Sequence, residues 1–382
     1  MKNYDYIIAG GGAAGLSLAW YLSQTTKANA SVLIIDKDKK QNNDRTWGFW
    51  HRQATPFEEI VSYRFDKLDF FSRYFNQRIS MGSHQYSVIR GIDFYNFIRN
   101  SLAAFPNFEF LTANIEELQD QPDGVTAVTD QGSFSASWIF TSIYKEKDVL
   151  AAAGKSLYLR QHFKGWVIET DDPVFDASSF TMFDFRTPQQ GAMRFFYVIP
   201  HNSRQALVEY TLFSEHLLPK SEYDSAIKTY IDEVLKIKLY RIIDDEFGVI
   251  PMTNYHFPVT QGRHIVPTGS AGGSSKPSSG YTFMRLQAHT KKVAAALAAG
   301  KSPAIPAVST LRYRFYDAVL LNILKNDPEK AELLFSKMYQ NNPMARLFDF
   351  LDEKGGLTND LKMITSLPPW PFLKSTGQLM FR

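Results

Sequence analysis

The sequence contains no cysteine, no long apolar run and little net charge. The missing cysteines exclude disulfides, thiol nucleophiles and thiolate-bound metals, and they suit a reducing cytosol. No run of about 18 or more uncharged apolar residues occurs, so the sequence predicts no membrane-spanning helix. A net charge of +3, without a cluster of Lys and Arg, does not suit the phosphate backbone of nucleic acids.

The chain has 382 residues, which is long enough for two or three domains, and its 44% hydrophobic content is ample for a buried core. Aromatic residues make up 14% of the sequence. This surplus indicates either an aromatic-lined cavity or simply an aromatic core. Residues 1–5 lead at once into a predicted strand, so we expect no cleaved signal peptide.

Glycines dominate one short segment near the N-terminus. The apolar residues Tyr4–Ala9 are typical of a strand and the residues after the glycines have helical spacing, so Gly10-x-Gly12-x-x-Gly15 lies at a strand-to-helix turn. In a dinucleotide-binding fold the first glycine permits the turn, the second lets a pyrophosphate approach the backbone, and the third packs helix on strand. We include Ala14 of the same turn in the predicted site. An ordinary structural turn is the alternative.

A second apolar strand, Ser31–Ile35, ends in Asp36. An acidic residue about 20 positions past the glycines is where such folds hold a ribose hydroxyl. The order of strand, glycine turn, helix, strand and acid therefore predicts an α/β, Rossmann-type nucleotide-binding domain.

A second glycine-rich loop, residues 269–283, precedes a predicted helix. Small residues at the start of a helix leave backbone N–H groups and a positive dipole end, which suit a phosphate or the electron-rich edge of a flavin. With the first motif, this loop predicts FAD rather than NAD, while a plain Gly/Ser linker is the alternative. Its candidate cofactor contacts are Gly269, Pro277, Gly280 and Tyr281.

Two features between the glycine-rich motifs, Arg90 and the aromatic segment 44–51, each allow two interpretations. Arg90 ends a predicted strand within reach of a bound diphosphate, or it is a solvent-exposed arginine at a helix start. The aromatic segment 44–51 either lines the cofactor or substrate cavity or packs its own loop down.

The middle of the chain carries carboxylates within apolar strands. Asp184 lies in Met182–Arg186 and Glu209 lies in Leu207–Thr211. Burial on such a strand raises the pKa of a carboxyl group, which would make it a proton donor near neutral pH. An outward-facing Glu on a half-buried strand is the alternative.

The order of predicted elements divides the chain into three parts. Residues 1–145 and 260–300 form an FAD-binding Rossmann domain, residues 146–259 a strand-rich substrate domain with a mixed sheet, and residues 301–382 a helical C-terminal region. The apolar, proline-broken segment 367–373 touches a membrane surface or packs on the core.

Over nearly its whole length the sequence resembles the FAD-dependent lycopene cyclases, specifically the bacterial lycopene beta-cyclases related to the plant enzymes. The likeness rests on the order and spacing of Gly10–Gly15, Asp44–Trp47, Leu159–Trp166, Met182–Arg186, Phe196–Pro200, Val208–Thr211, Gly248–Met252, Pro277–Tyr281 and Arg314–Asp317. Two departures stand out. Plant members carry two successive carboxylates where this chain has Glu209 and Tyr210, and many flavoproteins have Gly-Asp where it has Gly269 and Ser270.

The resemblance implies a flavoenzyme that closes β-rings on the ends of lycopene, an acyclic carotenoid hydrocarbon, without net oxidation or reduction. It implies reduced FAD as the active cofactor, NAD(P)H as its reductant, and Glu209 as the acid, with Asp184 and Arg186 placing or tuning it. It further implies a cytoplasmic protein peripherally associated with the inner membrane, without a metal or an obligate protein partner. A dry aromatic cavity would stabilise the carbocation, which gives the aromatic surplus a chemical use.

Two rival classes share parts of this pattern. A flavin-dependent monooxygenase or isoprenoid reductase of the same fold would consume NAD(P)H in proportion to its product. A non-enzymatic carrier of carotenoids or nucleotides would bind its ligand without turnover.

Overall fold

A computed structural model describes residues 2–307 and 309–381, and it divides into two compact units. Within the described residues, the first unit comprises residues up to 47, residues 89–154 and the segment from 255 to 307. The second unit comprises residues 48–88, 155–254 and those from 309 onward.

The strands, numbered in chain order, are β1 (Lys2–Ala9), β2 (Val32–Asp36), β3 (Thr46–His51), β4 (Tyr63–Phe65), β5 (Lys67–Phe71), β6 (Asn76–Ser80), β7 (Gln85–Arg90), β8 (Phe108–Thr112), β9 (Ile115–Gln121), β10 (Gly124–Thr129), β11 (Gly132–Thr141), β12 (Tyr158–Glu169), β13 (Phe180–Asp184), β14 (Met193–Pro200), β15 (Gln205–Ser214), β16 (Arg241–Thr253) and β17 (Ile265–Pro267).

The α-helices are α1 (Ala13–Ser23), α2 (Gly91–Leu102), α3 (Glu146–Ala152), α4 (Lys220–Thr229), α5 (Phe283–Ala298), α6 (Leu311–Asn326), α7 (Ala331–Asn341), α8 (Met344–Leu351), α9 (Leu357–Thr365) and α10 (Pro369–Met380). A π-helical turn, Tyr230–Val234, continues α4. Short 3₁₀ turns span Glu58–Ile60, Gly269–Gly272 and Pro328–Lys330.

The sheet of the first unit has the strand order β8-β2-β1-β11-β10-β9, and β17 pairs with β11. Strands β8, β2, β1, β11 and β17 run parallel, whereas β10 is antiparallel to both of its neighbours, β11 and β9. The central strands are continuous apolar runs such as Ile7–Ala9, as expected for strands covered on both faces. This arrangement confirms the predicted α/β, Rossmann-type fold, because the chain passes from β1 through α1 to β2 and on to β8.

The main sheet of the second unit has the order β16-β12-β15-β14-β13-β5-β6. Its neighbours are antiparallel except for β13 and β5, which are parallel. One face carries an apolar cluster with α4 and the π-helical turn, in which Tyr223, Ile227 and Ile231 are completely buried. Strands β3, β7 and β4 form a third, smaller sheet.

The compact units differ from the three-part division expected from the sequence. Residues 48–88 group with the second unit, where β5 pairs with β13. The helices after residue 309 group with it as well, since the Ser72 hydroxyl lies 2.7 Å from that of Ser336 and Glu332 on α7 accepts hydrogen bonds from Arg73. These contacts join residues far apart in sequence, and local periodicity carries no information about them.

No helix among the described residues combines the length and the apolar character needed to cross a membrane.

Candidate active site

The glycine turn between β1 and α1 leaves no space for side chains at two of its three motif positions. Gly10 has φ +112°, and a Cβ there would lie 2.2 Å from the Ser142 hydroxyl. A Cβ at Gly15 would lie 2.0 Å from the Gly10 carbonyl oxygen, so that glycine allows the helix to pack on the strand. Gly12 differs, because a Cβ there would meet no described atom within 4 Å. Open space at this position is what the approach of a dinucleotide's pyrophosphate to the backbone would require.

Asp36 closes this site at the end of β2. Its Oδ2 accepts a hydrogen bond of 2.6 Å from the Gly11 N–H, and its Oδ1 accepts one of 2.8 Å from the Asp38 N–H. The carboxylate therefore lies beside the glycine turn, as the sequence predicts, and it is held by two backbone donors. A ribose contact stays a prediction.

The second glycine-rich loop contacts the first motif within the same unit. Gly269 has φ +59°, and a Cβ there would lie 2.8 Å from the Cβ of Ala14. Deeper in the packing, the Gln287 amide on α5 donates to the Ser17 hydroxyl on α1 at 2.8 Å. The two loops predicted to bind one cofactor thus come together, although neither motif alone indicates the other.

The rest of this loop is compact and rich in polar groups. Gly280 has φ +71° and donates its N–H to the Lys276 carbonyl, and the Lys276 N–H donates to the Tyr281 carbonyl at 3.1 Å. Pro277 is half-buried within this turn. The buried Ser274 hydroxyl has no hydrogen-bond partner among the described residues.

Arg90 ends β7 directly before the start of α2, and it forms a two-pronged ion pair with Asp93, at 2.7 and 2.9 Å. This contact agrees with the helix-start interpretation, and a diphosphate contact stays a prediction. In the segment 44–51, Trp47 packs against Phe94 at 5.3 Å and stacks on Phe283 at 5.5 Å. That part of the segment packs down within the first unit.

In the second unit, two glutamates meet across one glycine. Strand β12 lies between β15 and β16, and its Gly165 is directly opposite Glu209 on one side and Glu246 on the other. Residues opposite one another on neighbouring strands project from the same face. A Cβ at position 165 would lie 3.4 Å from the Glu209 Cβ and 3.3 Å from the Glu246 Cγ. The two side chains therefore share the space above Gly165.

The Glu209 carboxyl is buried and hydrogen-bonded. Glu209 and Glu246 are each 9% exposed. The Glu209 Oε1 accepts a hydrogen bond of 2.6 Å from the Thr211 hydroxyl, and the carboxyl is also hydrogen-bonded to the side chain of Glu246. Burial, and then the charge of Glu246, raise the pKa of Glu209 well above its usual value. This carboxyl therefore keeps its proton to a higher pH than an ordinary glutamate does.

Aromatic rings surround this pair on the same face of the sheet. Tyr197 on β14 is directly opposite Glu209, and Phe195 and Phe163 flank Thr211 in the next row. The Phe195 ring lies 5.2 Å from that of Tyr197 and 4.6 Å from that of Phe183. A protonated carboxyl at this position can protonate an alkene, and the aromatic rings beside it can stabilise the resulting cation.

The structure does not bring Asp184 and Arg186 to this carboxyl. Asp184 is opposite Phe196, and Phe196 projects from the face of the sheet opposite to that of Glu209. On the Phe196 face, the Arg186 guanidinium binds the completely buried Asp184 carboxylate at 2.5 and 2.9 Å, and Tyr230 donates to it at 2.7 Å. The expectation that these two residues place Glu209 is therefore corrected, because neighbouring residues in a strand alternate between faces. Their contacts instead fix the end of β13 against the π-helical turn.

The comparison of this sequence with protein families gives one match, the model described as lycopene cyclase protein, over residues 5–376. The chain belongs to the lycopene cyclase family. No curated protein sequence matches it significantly.

Several solved structures share the fold of this chain. The p-nitrophenol 4-monooxygenase of Pseudomonas putida has a TM-score of 0.65 and 13% identity, over 92% of this chain and 98% of that one. A geranylgeranyl bacteriochlorophyll reductase-like protein of Thermoplasma acidophilum has a TM-score of 0.60 and 13% identity, over 98% and 96%. The flavin-dependent brominase Bmp2 has a TM-score of 0.60 and 13% identity, over 99% of both chains. At these identities the likeness shows the fold alone.

The family resemblance in the sequence did not single out Glu246 or Gly165, although both lie in or beside its motifs. Gly165 belongs to Leu159–Trp166, and Glu246 precedes Gly248–Met252 by two residues. Strand alternation could have placed Glu246 on the same face as Gly248. The pairing of β12 with both β15 and β16 was the missing information, since register depends on contacts distant in sequence. Among the described residues, no group of three or more His, Asp or Glu side chains could hold a metal ion.

Proposed function

We propose that this protein is a lycopene beta-cyclase, which converts acyclic lycopene ends to β-rings by redox-neutral acid–base chemistry with reduced FAD. The observation that carries this proposal is the buried Glu209 carboxyl, whose pKa is raised, on an aromatic face of the sheet. Ring closure needs a proton delivered to an alkene in the absence of water, and a buried protonated carboxyl meets that need.

The residues of the first unit fit FAD. The open space at Gly12 admits a pyrophosphate, the first turn of α1 offers N–H groups without intrahelical partners, and Asp36 is the candidate ribose acceptor. The unpartnered Ser274 hydroxyl and the backbone near Gly269 are candidates for the rest of the cofactor. When bound, reduced FAD supplies a negative charge that stabilises a carbocation, and NAD(P)H is the proposed reductant.

The residues of the second unit supply the proton transfers of the proposed reaction. The protonated Glu209 donates its proton to the terminal double bond, so an O–H bond breaks and a C–H bond forms. The cation that remains lies among rings such as Phe195 and Tyr197, whose electron-rich faces stabilise positive charge once water is excluded. Ring closure moves the cation into the new ring, and loss of a ring proton to a carboxylate leaves the ring double bond. The proton balance of the cycle is zero, and no electrons are exchanged.

Contact with a membrane is a further part of this proposal, since a long hydrocarbon substrate dissolves in the bilayer rather than in water. We place the protein in the cytoplasm, peripherally associated with the inner membrane. Exposed apolar side chains of α10 support such contact, because Trp370 is 75% exposed and Leu373 is 62% exposed.

The decisive experiment supplies lycopene and reduced FAD to the protein without oxygen. We expect products of unchanged mass with altered absorption, and NAD(P)H consumption that is not proportional to product. Glu209→Gln should lower kcat by about 10²–10⁴-fold while FAD stays bound. Glu233→Gln, which changes an exposed carboxylate, is the matched control and should keep the activity.

Other products would reject cyclisation. A protein that leaves lycopene unchanged without oxygen, and forms an oxygen-containing product once oxygen and NAD(P)H are admitted, would instead be a flavin-dependent monooxygenase. A hydrogenated product would identify an isoprenoid reductase. Full activity of Glu209→Gln with FAD bound would exclude Glu209 as the acid.

A further inference from the structure

We propose that Glu246 is the partner that shares the proton of Glu209, so that the acid of this site is a carboxyl pair assembled across Gly165. This inference rests on the proposed function for its catalytic meaning. The pairing itself is a property of the second unit alone.

The geometry of three neighbouring strands carries the inference. Strands β15 and β16 are not neighbours, because β12 separates them, and opposing side chains on them are ordinarily kept apart by the residue between. Gly165 removes that obstacle at the row shared by Glu209 and Glu246. An added Cβ would lie 3.3 Å from the Glu246 Cγ, which is a tight contact, 3.4 Å from the Glu209 Cβ, and 2.7 Å from the Leu207 Cδ1.

Hydrogen-bonding chemistry then fixes the number of protons. Two ionised carboxylates have only acceptor atoms, so a hydrogen bond between Glu209 and Glu246 requires one proton on the pair. Both side chains are 9% exposed, and two buried negative charges on the same row of the sheet, on either side of Gly165, would repel strongly. The state in which the pair shares a hydrogen bond is therefore one carboxylic acid and one carboxylate.

Other titratable groups lie around this face. Tyr197 on β14 is opposite Glu209. Helix α6 packs against β12, β15 and β16. Its ionisable side chains are Arg312, Tyr313, Arg314, Tyr316, Asp317 and Lys325. Lys325 pairs with Glu215 and Arg312 with Asp360, whereas Asp317 is buried and has partners of its own. Among the described residues, Glu246 is the charged group that acts on the Glu209 carboxyl.

The pair has a definite role in the proton cycle. When Glu209 gives its proton to the alkene, the electrons of the broken O–H bond remain on its carboxylate, and the site briefly holds two negative charges. That state favours the adjacent cation and the return of a proton from the new ring to the pair. Glu246 thus acts as a positioning residue, because it keeps Glu209 protonated at rest and does not itself need to contact the substrate.

The test is an infrared titration of the purified holoenzyme without substrate, following the C=O stretch of a protonated carboxylic acid. We expect this band to persist well above the pH at which ordinary carboxyls ionise, and to disappear in Glu209→Gln. In Glu246→Gln the midpoint of the band should move to lower pH. If the midpoint falls by one pH unit, the protonated fraction at a fixed alkaline pH falls about tenfold.

Two further variants separate the pair from general effects. Asp245→Asn removes the same charge from the neighbouring, exposed position of β16, and its midpoint should equal that of the wild type. Gly165→Ala places a methyl group between the two side chains while keeping both carboxyls. We expect it to weaken their contact, so its midpoint should move in the same direction as that of Glu246→Gln. In the cyclase assay, the kcat of Gly165→Ala and of Glu246→Gln should begin to fall at a lower pH than that of the wild type. Both variants should therefore keep more of their activity at acid pH than at alkaline pH.

The outcomes distinguish the two proposals. A midpoint in Glu246→Gln equal to that of the wild type and Asp245→Asn, in folded protein by circular dichroism, would refute the shared proton. A lowered midpoint in a protein that converts no lycopene would support the pair and refute cyclisation.

Discussion

A methyl group added at Gly12 or at Gly15 separates cofactor binding from folding at the N-terminal turn. The two glycines are three residues apart in one motif, yet their surroundings are opposite. A Cβ at Gly15 meets the Gly10 carbonyl oxygen at 2.0 Å and the Ile8 Cγ2 at 2.8 Å, whereas a Cβ at Gly12 meets nothing within 4 Å among the described atoms. We therefore expect Gly15→Ala to disturb the fold and Gly12→Ala to disturb only what binds there.

The contacts give the size of each effect. A carbon and an oxygen in contact are normally about 3.3 Å apart, so Gly15→Ala requires a displacement of about 1.3 Å between α1 and β1. Overpacking of this kind costs about 3 kcal/mol of unfolding free energy or more. Gly12→Ala loses a favourable helix N-cap residue but also reduces the entropy of the unfolded chain, and these effects, each about 0.5–1 kcal/mol, nearly cancel. Blocking the approach of a pyrophosphate should weaken FAD binding at least about tenfold, or 1.4 kcal/mol.

The assay combines chemical unfolding of the cofactor-free protein with FAD titration by flavin fluorescence. Gly12→Ala should unfold like the wild type and bind FAD more weakly, and Gly15→Ala should unfold at lower denaturant. Wild-type FAD affinity in Gly12→Ala would refute the phosphate approach at this glycine. Wild-type stability in Gly15→Ala would refute the close packing of helix on strand.

Two further predictions concern the two faces of the sheet in the second unit. Because the pKa of Glu209 is raised in the folded state, the native protein holds its proton more tightly than the unfolded chain, so stability present at acid pH is lost as pH rises through the raised pKa. Glu209→Gln should remove this loss of stability, which amounts to about 1.4 kcal/mol for every tenfold by which folding tightens proton binding. Urea unfolding of both proteins at pH 6 and pH 9 measures the loss. Equal pH dependence of the unfolding free energy in the two proteins would contradict the prediction. Tyr230→Phe, on the face of the sheet that carries Asp184, deletes the hydrogen bond to the buried Asp184 carboxylate. It should cost about 1–3 kcal/mol of unfolding free energy and leave cyclisation unchanged. A lower kcat with unchanged stability would contradict a structural role for Tyr230.

Local sequence signals were sufficient for the nucleotide-binding fold. The apolar strand before Gly10, the glycine spacing and the acid at Asp36 lie within one short stretch, and each has a direct physical reason to be there. In the structure β1 and β2 run parallel, and Asp36 accepts a hydrogen bond from the Gly11 N–H of the turn, while its contact with a ribose stays a prediction. Residues whose roles depend on their chain neighbours are therefore predictable without a structure.

The carboxyl pair was beyond that kind of inference. Glu209 could be singled out because it interrupts an apolar strand, but Glu246 lies 37 residues further along, in a strand whose first half is exposed. Nothing near Glu246 indicates that Gly165 will lie between the two. Only the registers of β12 with β15 and with β16 bring the three residues into one row.

Alternation along the strands explains why Asp184 and Glu209 have different surroundings although both interrupt aromatic strands. Phe196 stacks on Tyr230 with ring centres 3.8 Å apart, on the face where Asp184 binds Arg186. On that face the carboxylate is matched by a guanidinium and a phenol, so its charge is compensated. Glu209 projects from the opposite face, where its charged neighbour is another carboxylate. An acid surrounded by its counter-charges stabilises the fold, whereas an acid paired with a like charge keeps a proton available, and a displacement of one residue along the strand is enough to exchange these roles.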